Sequence, residues 1–122
     1  MIQVKGHIIS DTSWISALEV VDVLCYYDGP LVSIVKDSKG DTYVKVWCDC
    51  ETNSDRCFLI KATPTEINKY EPDHAKAIIE LLTSPTCPDL IITDEVWKDG
   101  QVTLTAKVIL PSDFPSQYMP TP

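Results

Sequence analysis

The sequence predicts an α+β fold: an antiparallel sheet of about five or six strands with one or two helices on one face. Three observations carry that expectation. Short runs rich in β-branched and aromatic residues recur between turn signals from residue 31 to residue 62 and again from 89 to 110. A helical stretch opened by Thr63-Pro64-Thr65-Glu66, which has capping-box spacing with Pro at the first helical position, separates the two groups. The composition, 44% apolar and 23% charged over 122 residues, is that of an ordinary globular domain and not of a disordered chain.

Taken in order, residues 2–9 alternate, with Ile2, Val4 and Ile8 on one side and Gln3, Lys5 and His7 on the other, which predicts a half-buried strand. Trp14, Ala17, Leu18 and Val21 recur at helical spacing, so a helix is expected over about 13–20. The β-branched Val20-Val21-Asp22-Val23 leaves the state of the following residues open. Asp28-Gly29-Pro30 is a stop, because Gly accepts a left-handed backbone and Pro ends regular pairing. Residues 31–36, 42–50 and 57–62 then form a three-stranded meander, with a turn at 37–40 and a polar loop at 51–56. After the capped helix, Pro72 opens a second one whose apolar face is Ala75, Ile78, Ile79 and Leu82. Strands near 89–97 and 101–110, joined by Lys98-Asp99-Gly100, form the clearest hairpin. Residues 1–110 therefore make one domain, and the tail 111–122, with four prolines in twelve residues, is expected to be extended.

Charge and cysteine usage narrow the function. The net charge is −8, and the ten basic residues include a single arginine, Arg56. A phosphate backbone is gripped by clustered Lys and Arg, which this chain lacks, so direct nucleic-acid binding is disfavoured. An acidic surface keeps a small protein soluble and attracts a basic partner. Five cysteines is an odd count for a disulfide scaffold, and a chain of this length folds without staples, so free thiols and a reducing cytoplasm are expected. The start of the chain has neither the basic residues nor the apolar run of a secretory signal, and no run approaches the roughly 20 apolar residues of a membrane span.

The candidate chemistry is thin. Cys48, Cys50 and Cys57 could supply three thiolates to zinc, but strand alternation puts Cys57 on the face away from Cys48 and Cys50. A cysteine nucleophile needs a base and a lowered thiol pKa. Of the two histidines, His7 lies on a strand and His74 in the first turn of a helix, where it reads as an exposed surface residue. Asp89, Glu95 and Lys98 have carboxylate-lysine spacing of the metal-nuclease kind only in outline, since Glu95 and Lys98 alternate to opposite faces. The four glycines are isolated, so no phosphate-cradling loop exists. No catalytic residue, cofactor or metal is expected, and the chain reads as a non-enzyme.

What remains is surface. The outward face of strand 42–50 is expected to carry Tyr43, Lys45, Trp47 and Asp49, two large aromatics among charges, and Trp and Tyr are enriched in binding hot spots. Tyr27 and Asp28 beside the Gly-Pro turn form a second candidate edge, and Trp97 near Glu95 and Asp99 a third, acidic and aromatic.

The stretch Tyr27-Asp28-Gly29-Pro30-Leu31, followed by Lys36-Asp37, Gly40, Tyr43 and Trp47, resembles small bacterial and phage proteins in which a Tyr-Asp-x-Pro-Leu turn precedes a short sheet. The likeness covers about a quarter of the chain, resting partly on general turn chemistry. It implies a prokaryotic or mobile-element setting and transfers no catalytic residue. Together these readings predict an acidic protein-binding module of the inhibitor, immunity or counter-defence type. Its partner would be a protein, preferably basic, with no nucleic acid or membrane involved and a homodimer compatible with the pattern. The alternative is a small-ligand-binding domain that stacks Trp and Tyr on its ligand, with a dimer seam as one place for the site.

Overall fold

The computed structural model describes residues 1–26, 30–68 and 74–120. One antiparallel sheet of seven strands dominates, in the order β1-β7-β6-β5-β4-β3-β2. The strands are β1 (His7–Ile8), β2 (Glu19–Tyr26), β3 (Pro30–Lys36), β4 (Thr42–Glu51), β5 (Ser54–Lys61), β6 (Leu90–Lys98) and β7 (Gln101–Ile109). Three short helices accompany them: α1 (Ser13–Ser16), α2 (Pro64–Asn68) and α3 (His74–Thr83). The sheet thus has more strands than the five or six the sequence pattern predicts, and the helices are shorter.

Helices cover both faces of the sheet, not one. On the face called here the core face, Ile78 and Leu82 of α3 pack with Val44, Phe58, Ile60, Leu90 and Ile92. Phe58, with no exposed surface, meets the Phe114 ring edge-on at 4.9 Å. On the opposite face, called the α1 face, Ile15 packs with Val35, Leu59 and Ala106, and Trp14 and Leu18 close over them. A two-sided arrangement follows from the central strands, in which Phe58-Leu59-Ile60 is buried on both faces.

Several expectations need correction, each for a local reason. The helix expected over 13–20 shrinks to one turn. Asp11, one residue before the N-cap Thr12, accepts from the backbone and hydroxyl of Ser13 at 3.0 and 2.6 Å, and β-branched Val20, Val21 and Val23 then take strand geometry. The expected strand 2–9 pairs only at His7–Ile8. Its alternation breaks at Gly6, where an added Cβ would sit 2.6 Å from the Val108 carbonyl oxygen. The chain crosses the sheet edge at that close approach, so Val4 is buried in the core cluster while Ile8 is 77% exposed. The loop expected at 51–56 is a tight Thr52-Asn53 turn, and β5 begins at Ser54. The proline-rich tail is not extended. Pro111–Asp113 and Ser116–Tyr118 form 3-10 turns, and Phe114, Met119 and Tyr118 pack onto the core face.

The meander, the capping box and the last hairpin match their sequence signals. Thr63 and Glu66 exchange bonds, the Thr63 amide donating to the Glu66 carboxylate at 3.0 Å and the Glu66 amide to the Thr63 hydroxyl at 3.3 Å. Asp99 and Gly100 turn the hairpin with φ of 52° and 76°, the pair of left-handed residues a type I′ turn requires. That turn fixes the β6–β7 register, with Trp97 opposite Val102 and Glu95 opposite Leu104. Among the described residues, no helix is long and apolar enough to cross a membrane.

Candidate functional site

One irregularity in β4 decides which of the expected surface residues share a face. Trp47 pairs with Cys57, but Asp49 pairs with Arg56, so Cys48 is the extra residue of a β-bulge. The bulge carries Asp49 to the core face, away from Tyr43 and Trp47, and this corrects the expected Tyr43-Trp47-Asp49 row. The Trp47 indole N–H donates to the Asp49 carbonyl at 3.1 Å, which holds the ring against its own strand.

On the core face Asp49 joins a closed polar network. Arg56, only 7% exposed, donates through Nε and Nη2 to both oxygens of Asp94, at 2.7 and 3.1 Å. Its Nη1 reaches the Ile2 carbonyl at 2.9 Å and the Tyr118 hydroxyl at 3.0 Å, and that hydroxyl donates onward to Asp49 at 2.8 Å. Burial by itself would lower the guanidinium pKa. The hydrogen bonds to Asp94 and Tyr118 and the charge of Asp94 outweigh it, so the group is held charged above its ordinary range. This arginine is committed to binding the N-terminal arm and the tail to the sheet, a structural role.

The α1 face of the same strands is left open beyond the helix. α1 covers Tyr43, whose ring lies 6.1 Å from that of Trp14 and whose hydroxyl donates to Asp37 at 3.3 Å. Burial and then Asp37 raise the Tyr43 pKa, and Tyr43 is a half-buried packing residue, not a free one. Past the helix, the strand pairing sets Trp47 beside Cys57, then Asp55 beside Glu95 and Leu104, then Trp97 beside Val102. Trp97 is 39% and Val102 57% exposed, whereas Trp47, Asp55 and Glu95 are half-buried. Neither Asp55 nor Glu95 has a hydrogen bond or ion pair to any described residue. The result is a strip of two tryptophans and two aliphatic residues with two carboxylates set between them, of which Glu95 and Leu104 line a concavity together with Lys45.

Of the seven candidate residues, the structure therefore brings Trp47, Glu95 and Trp97 onto one surface. It separates Asp49 from them and buries Tyr43 partly under α1. Tyr27 and Asp28 lie outside the described residues. Asp55, Val102 and Leu104 are additions. The last two were within reach of the sequence, because a two-residue Asp-Gly turn fixes which residues face Trp97 and Glu95. Asp55 was hidden by the length of the expected loop.

The thiols do not converge. Cys48 packs at the core cluster and its Sγ donates to the Arg56 carbonyl at 3.5 Å, while Cys57 lies on the α1 face. Burial, and after it the neighbouring Cys57, pushes the Cys48 thiol up to about 12. Burial pushes Cys57 up to about 11 against a partial offset from Lys45. Both are neutral thiols at physiological pH, poor nucleophiles and poor metal ligands. Among the described residues no three His, Cys, Asp or Glu side chains group as a metal site. His74 is half-buried, not exposed, and its Nε2 is enclosed without a hydrogen-bond partner.

Two concavities lie among the described residues of the sheet. One of about 290 Å³ lies at the sheet edge near Gly6 and is lined by Lys5, His7, Asp89, Asp113 and the end of β7. The other, about 110 Å³, lies beside α1 and is lined by Ile15, Leu18, Lys45, Thr93 and Glu95 among others. Neither is lined by Tyr43, Trp47 or Trp97. Comparison with known proteins returned no matching family model, no matching curated protein and no matching solved structure.

Proposed function

We propose that this chain is a non-enzymatic, acidic protein-binding module that occupies a partner's surface through the open end of the α1 face. The observation that carries this reading is the strip in which Trp47, Trp97 and Val102 flank Asp55 and Glu95, carboxylates with no hydrogen-bond or ion-pair partner among the described residues. Exposed Trp supplies apolar contact area at low entropic cost, and unpaired carboxylates supply orientation toward a cation. The net charge of −8 favours a basic partner and speeds encounter with it. A bacterial or phage inhibitor, of the toxin-neutralising or counter-defence kind, acting in the cytoplasm, is the concrete version.

Neither of the two concavities is lined by Tyr43, Trp47 or Trp97, the aromatic residues that stacking on a small ligand would use. The test is affinity capture on the immobilised protein, compared with Trp97→Ala and Glu95→Lys forms of equal thermal stability. The wild type retains a basic protein in a salt-sensitive manner and both variants lose it. Identical retention by all three, or a hydrolytic activity abolished by a cysteine or carboxylate substitution, contradicts the proposal.

A further inference from the structure

The two edges of the sheet are built differently. β2, one edge, breaks register between Val20 and Asp22, between Val23 and Cys25, and between Cys25 and Tyr26, and it carries Glu19 and Asp22. Bulges and charges of this kind prevent a second strand from adding there. At the other edge β1 covers only the far end of β7, pairing His7 with Val108 and Ile8 with Lys107. The Ile9 amide then donates to the Ala106 carbonyl at 2.9 Å, and no described strand lies beyond residues 101–105. This stretch pairs with β6 without a register shift and contains no charge and no proline. It lacks every protective device that β2 has.

Its backbone points the right way for pairing. In an antiparallel ladder, peptide groups alternate between the two neighbours, and the Ala106 carbonyl faces outward to Ile9. The peptide groups of Leu104 and Val102 therefore face outward too. The side chains read Gln-Val-Thr-Leu-Thr, polar and apolar in alternation about Thr103, a pattern that matches itself when reversed. Val102 is 57% exposed on the same face as Trp97.

We infer that two copies of this chain associate through residues 101–105, antiparallel about a two-fold axis at Thr103, so that one sheet continues across both. In this register Val102 of one copy lies opposite Leu104 of the other, and their outward peptide groups form about four main-chain hydrogen bonds. Gln101 lies opposite Thr105, and no like charges are brought face to face. The occupied Ala106 carbonyl at one end and the Asp99-Gly100 turn at the other limit the added strand to the uncovered length. The contact is small, so it is a weak, reversible dimer rather than an obligate one. Each copy carries −8, so added salt strengthens the association by screening their repulsion. The Trp97–Val102 strips of the two copies would meet at the axis and double the surface proposed above. The inference itself stands whatever partner that surface takes.

The test joins cross-linking with sedimentation. Thr103 residues of the two copies form a non-hydrogen-bonded pair with Cα atoms about 4.5 Å apart, within disulfide reach. Thr105 residues are offset by about 13 Å along the strands and cannot be bridged. Under mild oxidation Thr103→Cys gives a covalent dimer at least about tenfold faster than Thr105→Cys, which sets the background from the native thiols. Sedimentation equilibrium of the wild type from about 10 μM to about 1 mM shows a monomer–dimer equilibrium that shifts toward dimer with salt. Val102→Glu raises the dissociation constant at least about tenfold with unchanged circular dichroism and melting temperature. A single-chain mass throughout, equal cross-linking of the two cysteine variants, or a dimer indifferent to Val102→Glu overturns the inference.

Discussion

The same three strands, β4, β5 and β6, carry a cluster of carboxylates and aromatics on each side, and the two clusters have opposite fates. On the core face Asp49 and Asp94 flank Arg56, and Tyr118 from the tail closes over them. One residue along each strand, on the α1 face, Asp55 and Glu95 have no ion-pair or hydrogen-bond partner among the described residues, and half-buried Trp47 and exposed Trp97 stand beside them. The difference is the cation. The chain has one arginine, and alternation commits it to the first cluster, where a fork of five donors can satisfy two side chains and a carbonyl at once. A satisfied cluster holds the fold together. The unsatisfied one is left as a surface that a cation from elsewhere can complete.

Breaking the closed side should have the largest effect. Arg56→Met leaves Asp94, the Ile2 carbonyl and the Tyr118 hydroxyl without their donor, and costs about 3–5 kcal/mol. Thermal unfolding should fall by more than about 10 °C, and the double variant Arg56→Met/Asp94→Leu should recover much of the loss. Tyr118→Phe removes only the hydroxyl that bridges Arg56 and Asp49, at a cost of about 2 kcal/mol in a denaturant titration.

Alkaline pH attacks the fold by another route, through one thiol on each face of the sheet. The Cys48 and Cys57 thiols ionise at about 12 and about 11 in the folded protein, against an ordinary value of 9.0, so folding favours their protonated forms. Their contribution is intact below pH 9 and is lost as pH rises through the folded values, because the unfolded chain releases those protons first. Chemical denaturation midpoints should therefore decline between pH 9 and 12, and Cys48→Ala should flatten the decline. Smallest of all is the effect of opening substitutions on stability. Trp97→Ala on the α1 face should change it by less than about 1 kcal/mol while removing partner capture.

How much of this was readable in advance follows the range of the signals. The β3–β5 meander, the capping box and the last hairpin rest on local turn and capping chemistry, and they stand where the residues put them. The role of Arg56 was not readable, because its partners come from residues 2, 94 and 118, and only the folded topology brings them together. The tail misled for the same reason. Proline content argued for an extended segment, yet the prolines shape 3-10 turns that aim Phe114 and Tyr118 at the sheet. The displacement of Asp49 came from one extra residue in β4. A period of two reverses every side chain beyond such an insertion, and no residue type announces it. Trp97 and Glu95 were read as one edge and Trp47 as part of another, and the surface they share emerged from the register of three strands.

The most direct test places a photo-crosslinking amino acid on each side of the sheet, at Trp97 on the α1 face and at Gln117 on the exposed tail over the core face. After irradiation in extract of the native cell, position 97 should yield a covalent adduct with a basic protein, and position 117 should yield none. An adduct from 117 alone, or the same adduct from both, would contradict the assignment of the open strip as the contact surface.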